Sequence, residues 1–250
     1  MKKKKILLAI GGHDPTSGAG ISADIETSAY FNFHTLSILT CITVQNTNRV
    51  QKIYKIPKNY IIESFKEIIK EFKIDVIKIG LLPNIQCSKE VFKILNNKKV
   101  RSIPVIIDPI INSGSGEKLI TDNNLKFLIK KVYPFGKLLT PNIDEYNKIK
   151  KLLEKDSTNN ILITNFKNTK NSITLKLKKN DSLTERDFVV KKFNKIYHGT
   201  GCTLSTAIAC NIDPKKDIDK SIQTALKYMK KVITASTING KKQSFLNRNF

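Results

Sequence analysis

The sequence predicts an α/β fold: a three-layer α/β/α sandwich with a mostly parallel central sheet, built as one domain over residues 1–250. Three observations carry this expectation. Short apolar runs recur at 4–11, 36–45, 75–80 and 103–109, as strands buried on both faces do. Between them lie segments with helical spacing, such as Ile61, Phe65, Ile68 and Ile69. The runs also end in glycine or polar residues, at the carboxyl edge where open α/β sheets bind ligands. The chain is long enough to bury a substantial core, and it contains no repeat and no linker.

The first strand, 4–11, runs into a loop from Gly12 to Gly20 that holds Pro15 and Gly18. Such a loop lets another molecule approach the backbone closely. A helix over 21–31 follows, with Ser22, Asp24 and Glu26 in its early turns. Asp24 reads either as a ligand group or as a charge complementing the helix start. The strand at 36–45 ends in Gln45-Asn46-Thr47, which places Gln45 to hydrogen-bond a ligand or to face water. Next come a helix over 58–72, a strand over 75–80, a helix over 88–96, and a strand over 103–109 carrying Asp108 near its end. The loop Asn112-Ser113-Gly114-Ser115-Gly116 follows.

Leu138-Leu139-Thr140-Pro141 leads into Asn142 and Glu145, three apart at a helix start. Those oxygens suit Mg²⁺, directly or through its waters. They equally form a capping box, which the spacing alone favours. Strands over 160–164, 172–177 and 187–192 come later, the last two forming a hairpin split by 178–182. A helix over 217–233 closes the fold, and the polar tail beyond it reads as loose.

His198-Gly199-Thr200-Gly201-Cys202-Thr203-Leu204-Ser205 is the organising stretch. Two glycines turn the chain, and the small apolar run after them starts a helix. Consecutive N–H groups and a helix N-terminus make an anion site. Cys202 falls in the first turn, where the positive end favours thiolate. The same residues would also serve as a plain turn capping a core helix with a buried thiol.

The net charge of +23 raises the question of a polyanion partner. The lysines are scattered through every segment and are not interleaved with aromatics, so nucleic-acid binding is not expected as the main function. Abundant Lys, Asn and Ile fit AT-rich codons acting on tolerant surface positions. Cys41, Cys87, Cys202 and Cys210 form no C-x-x-C pair, which predicts reduced thiols and no metal cluster. The basic, then apolar, start lacks a cleavage site and suits a buried strand. No apolar run approaches the roughly 20 residues of a membrane span, so a cytoplasmic protein is expected.

Six separated stretches then match one family in order: the corner at 198–205, Asp14-Pro15-x-x-Gly18-Ala19-Gly20-x-x-Ala23-Asp24, Val44-Gln45-Asn46-Thr47, Lys78-Ile79-Gly80, Asp108-Pro109 with Ser115-Gly116, and Thr140-Pro141-Asn142. Together they resemble the hydroxymethylpyrimidine/phosphomethylpyrimidine kinases of the ribokinase-like superfamily, which serve thiamine biosynthesis. The resemblance implies a ribokinase-like fold and ATP-dependent phosphorylation of 4-amino-5-hydroxymethyl-2-methylpyrimidine, then of its monophosphate. It also implies Mg²⁺ and a homodimer.

The resemblance assigns roles by position. The backbone of Gly199, Thr200, Gly201 and Cys202 would hold the transferring phosphoryl group. Cys202 stands where most sugar kinases of the superfamily have an aspartate base; either Cys202 or solvent takes the proton. Gln45, Asp24, Gly11 and Gly12 would form the pyrimidine pocket, with Leu81 as an apolar wall. Asp108, Asn142 and Glu145 would steer Mg²⁺ and the phosphates, with Asp108 and Glu145 reaching the metal through water. This chain has Ser22 where the family commonly has Gln, Leu81 where it has Met, and Thr164 where it has a lysine. The phosphate contact that Thr164 lacks would be either absent or supplied by Lys167. A pyridoxal or related vitamin-precursor kinase of the same fold is the alternative, and a non-catalytic polyanion-binding protein is the reading from another class.

Overall fold

The computed structural model describes residues 4–114, 116–153, 159–180, 184–213 and 217–249. Ser115 and residues 181–182 of the expected hairpin connection lie outside them. Strand β1 (Lys5–His13) leads to helix α1 (Gly20–Tyr30), then to β2 (Phe33–Gln45) and β3 (Val50–Lys55). There follow α2 (Tyr60–Glu71), β4 (Val76–Ile79), α3 (Ile85–Leu95) and β5 (Val105–Ile107). Helix α4 (Asp122–Phe127) continues through a π turn and a 3-10 turn to β6 (Leu138–Leu139) and α5 (Ile143–Ile149). Strands β7 (Asn160–Asn168), β8 (Ser172–Lys178), β9 (Glu185–Lys191) and β10 (Tyr197–His198) precede α6 (Thr200–Asn211), α7 (Ile218–Thr234) and β11 (Ser244–Phe245).

Among the described residues, nine strands form one sheet in the order β3-β2-β1-β4-β5-β6-β7-β8-β9. From β2 to β7 every pairing is parallel; β3, β8 and β9 add antiparallel edges. The apolar runs are continuous because both faces of these strands are covered. Leu8, Ile77 and Leu139 belong to one core, with Phe65 and Val91 from α2 and α3. Their neighbours Leu7, Val76 and Leu138 belong to the other, with Ile208 and Ile222 from α6 and α7. That alternation is the period-two pleat of a strand, and it gives the three layers expected.

Several boundaries differ from the expectation for local reasons. Helix α3 starts three residues early because the Asn84 side chain caps it, accepting from Cys87 N at 3.0 Å. Strand β3 escaped notice because it is a polar edge strand with little buried surface. The tail is not loose. Ser244 and Phe245 pair with Tyr197 and His198, Ser244 N donates to the Ile196 carbonyl at 2.8 Å, and Leu246 and Arg248 are buried.

Candidate active site

A cavity of about 770 Å³ lies beyond the carboxyl ends of the parallel strands. Gly199, Thr200, Gly201 and Cys202 line it at the start of α6. The N–H groups of a first helical turn have no intrahelical acceptor, so this corner offers donors to an anion. Its shape depends on glycine. Gly199 has φ +76°, and a Cβ there would fall 1.8 Å from the Gly18 carbonyl oxygen. A Cβ on Gly18 would fall 2.1 Å from the His198 ring.

The first glycine loop is fastened to this corner. The Asp14 carboxylate accepts from Thr16 N at 2.9 Å, Thr16 Oγ1 at 2.8 Å and Ala19 N at 3.0 Å, and meets His198 Nε2 at 2.7 Å. Burial alone would raise its pKa. The His198 and Thr16 hydrogen bonds outweigh burial and hold it at about 2. The sequence marks Asp14 and His198 only as parts of motifs; their pairing spans 184 residues and has no local signal.

Below the corner lies a buried charge cluster. Lys78, 1% exposed, donates to both Asp24 oxygens at 2.9 and 3.0 Å. Burial would lower the ammonium pKa, but the Asp24 carboxylate outweighs it and holds the lysine charged. Asp24, 0% exposed, also accepts from Thr206 Oγ1 at 2.6 Å. Its expected place in the pyrimidine pocket is therefore corrected. Asp24 sits behind the floor, and Lys78 is the member of the pair that lines the cavity.

Cys202 lines the cavity at the helix start, in a buried setting. The residue is 7% exposed, and burial pushes the thiol pKa up to about 11 despite the Lys78 charge. Desolvation thus exceeds the pull of the Lys78 charge and of the Gly20 backbone hydrogen bond, which favours the neutral thiol. Asp108 is buried at the same place and raised to about 6, mainly by desolvation. Gly201 gives it room: a Cβ there would stand 3.5 Å from Asp108 Oδ2.

Asn142 and Glu145 form the capping box that their spacing favoured. Asn142 Oδ1 accepts from Glu145 N at 2.9 Å, and Glu145 Oε2 accepts from Asn142 N at 2.9 Å. Glu145 Oε1 accepts from Ile111 N at 3.1 Å. Both residues also line the cavity. Burial, then the Asp108 charge, pushes Glu145 up to about 7. Among the described residues no cluster of three or more His, Cys, Asp or Glu side chains is arranged to hold a metal.

Gln45, Gly11, Gly12 and Leu81 line the other arm of the cavity. Lys167 does not; it is exposed on β7. The register of β7 against β8 shifts between Ile163 and Lys167, and Asn165 takes a positive φ of 52°. Such an irregularity re-aims the following side chains, and Thr164, Asn165 and Asn168 face the cavity instead. Lys191, Lys192 and Lys195 reach its rim, which no motif had marked. Leu175, Val190, Leu204, Leu226 and Met229 give it an apolar side.

Known proteins resemble this chain in sequence and in fold. The chain is 31% identical over 249 residues to a hydroxymethylpyrimidine/phosphomethylpyrimidine kinase of Aquifex aeolicus, covering 94% of this chain and 97% of that one. It is 32% identical over 248 residues to a bifunctional thiamine biosynthesis protein of Methanocaldococcus jannaschii, covering 96% of this chain but 55% of that longer protein. Its fold matches a Bacillus subtilis pyridoxal kinase solved with ADP, at TM-score 0.82 and 20% identity over 98% of both chains. A Clostridium difficile phosphomethylpyrimidine kinase superposes at TM-score 0.73 and 24% identity, over 92% of this chain and all of that one. The phosphomethylpyrimidine kinase profile matches residues 14–247, and the chain belongs to that family.

Proposed function

We propose that the chain phosphorylates the hydroxymethyl group of 4-amino-5-hydroxymethyl-2-methylpyrimidine from ATP, and then phosphorylates the monophosphate to the diphosphate, for thiamine biosynthesis. The observation that carries this reading is the single cavity joining the glycine corner to Gln45. Gln45 presents a donor and an acceptor from one carboxamide, which matches an aminopyrimidine edge. Gly11 and Gly12 line the cavity beside it, and Leu81 would pack on the ring's face. The apolar side at Leu175, Val190, Leu204 and Met229 suits a nucleotide base, and the rim lysines suit its phosphates.

Phosphoryl transfer mainly needs alignment and charge stabilisation. The N–H groups at 199–202 hold the transferring group where its charge redistributes. Cys202 stands beside the alcohol as a thiol. It orients the hydroxyl rather than acting as a preformed thiolate; as the new O–P bond forms and the bond to the departing ADP breaks, the hydroxyl proton passes late to solvent water. Burial and the Asp108 charge disfavour the Glu145 carboxylate, and a hydrated divalent cation bound there would offset that. The donor set therefore fits Mg²⁺ held through water by Asp108 and Glu145, with Asn142 beside them. The ion would neutralise charge on the nucleotide phosphates.

We further propose that residues 1–250 act as one cytoplasmic kinase domain and pair as a homodimer. No helix among the described residues is long and apolar enough to cross a membrane. Ile42, Val44 and Tyr54 are exposed on one face of the β2–β3 hairpin, where Ile42 and Tyr54 are cross-strand partners. An apolar face of this kind suits a second copy.

Pure protein incubated with ATP, Mg²⁺ and either the pyrimidine alcohol or pyridoxal tests the reading by product mass. Mono- and diphosphate of the pyrimidine are expected. Pyridoxal phosphate alone would favour the second reading, which the pyridoxal kinase fold matches motivate. Absence of turnover with tight, salt-sensitive polyanion binding would favour the non-catalytic one. Gln45→Ala should mainly weaken pyrimidine binding.

A further inference from the structure

Arg248 lies near the end of the described chain, yet it is 4% exposed and packs behind the glycine corner. The β10–β11 pairing brings it there, with the Phe245 ring set edge-on to His198 and Asn247 N donating to the Val232 carbonyl at 3.2 Å. Its guanidinium donates in several directions at once. Nη2 reaches the Gly18 carbonyl at 2.5 Å and Nη1 the Ser17 carbonyl at 3.4 Å. Nε donates to Thr203 Oγ1 at 2.9 Å, and that hydroxyl donates to the Gly199 carbonyl at 2.8 Å. Nη1 also meets Glu26 Oε2 at 3.0 Å.

We infer that Arg248 is a positioning residue for phosphoryl transfer. It ties the first glycine loop to the first turn of α6, so that the N–H groups at 199–202 keep their aim. Two of its bonds go to the first glycine loop and one to the start of α6, and only one goes to an acid. The position of a Gly199 Cβ would also stand 3.0 Å from Nη2, so the guanidinium backs directly onto the turning residue. A planar fork reaches these acceptors together; a lysine ammonium on a flexible stem does not. Burying such a charge is costly unless it is satisfied, and here each guanidinium nitrogen has a partner.

The inference rests on the kinase reading, and its test separates the two. Arg248→Ala, Arg248→Lys and Glu26→Gln are compared with the wild type for kcat, KM for each substrate, and Tm. Misaligned donors reduce turnover more than binding, so both Arg248 variants should lose about 10- to 100-fold in kcat. KM for the alcohol should stay within about threefold. Added guanidinium ion should restore part of the Arg248→Ala rate, whereas methylammonium at equal ionic strength should not. Glu26→Gln, which removes the ion pair alone, should stay within about twofold of the wild type in kcat. Should Arg248→Ala fail to fold, Arg248→Lys carries the same comparison. A folded Arg248 variant with wild-type kcat, a Glu26→Gln loss as large as that of Arg248→Ala, or equal rescue by both cations overturns the inference. Absence of turnover in the wild type defeats the kinase reading and the inference together; normal wild-type turnover confines any failure to Arg248.

Discussion

Gly18 and Gly199 sit back to back. A Cβ on Gly199 would overlap the Gly18 carbonyl oxygen at 1.8 Å, and Gly199 itself has φ +76°. Two glycine loops separated by most of the chain therefore share one volume. Gly199→Ala must either strain its own backbone or push the Gly18 loop away. The left-handed conformation alone should cost about 1–2 kcal/mol. Displacing the corner donors should lower kcat by about 100-fold or more. Thermal unfolding and initial rates check both, and wild-type kcat in the variant would show that the corner tolerates a methyl group.

Lys78 and Asp24 form a buried pair, so removing one partner leaves the other charge without compensation. Lys78→Met should destabilise the fold by about 3–5 kcal/mol. Adding Asp24→Asn removes the stranded carboxylate, and the double variant should recover part of that loss. Urea unfolding of both variants reads the difference. A double variant less stable than Lys78→Met would contradict the pairing.

Asp14 gives the fold a defined acid response. Its pKa falls from an ordinary 3.8 to about 2 because the His198 and Thr16 hydrogen bonds outweigh burial. A depressed carboxylate stabilises above its unfolded pKa, and the stabilisation is lost as pH falls through the folded value. The wild type should exceed Asp14→Asn by about 2 kcal/mol at pH 7. The gap should narrow below pH 4 and close only as pH falls below about 2. A gap independent of pH would remove the carboxylate charge from the account.

The cysteines should be quiet towards alkylation. Burial pushes Cys41 up to about 12, Cys87 and Cys202 to about 11, and raises Cys210 as well. Raised values mean neutral thiols at pH 7, and reactivity follows the thiolate. Iodoacetamide at pH 7 should label all four slowly in the native state and promptly in urea, as peptide masses would show. Cys202→Ala should lower turnover far more than substrate binding. Fast native labelling of Cys202 would mean that the helix start outweighs desolvation after all.

Much of the fold is legible because it is local. Continuous apolar runs mark strands covered on both faces, and helical spacing marks α2 and α7. The corner is legible for the same reason, since Gly199 to Cys202 are consecutive. Gln45, Asp108, Asn142 and Glu145 follow strand ends, and strand ends are where this fold keeps its cavity. What escaped reading is either long-range or set by burial. Asp24 is withdrawn from the cavity by Lys78, 54 residues later. Lys167 is turned outward by a register shift that no composition signal announces. Arg248 looks like part of a loose polar tail, and it gains its place only through the β10–β11 pairing. The Cys202 thiol follows its burial, which the helix start does not reveal.

A crystal structure of the protein with a non-hydrolysable ATP analogue, Mg²⁺ and the pyrimidine alcohol tests the central claim most directly. The account predicts the terminal phosphate within hydrogen-bond distance of the N–H groups at 199–202, with the alcohol oxygen beside Cys202 and the ring on Gln45. A terminal phosphate lying away from that corner would contradict it.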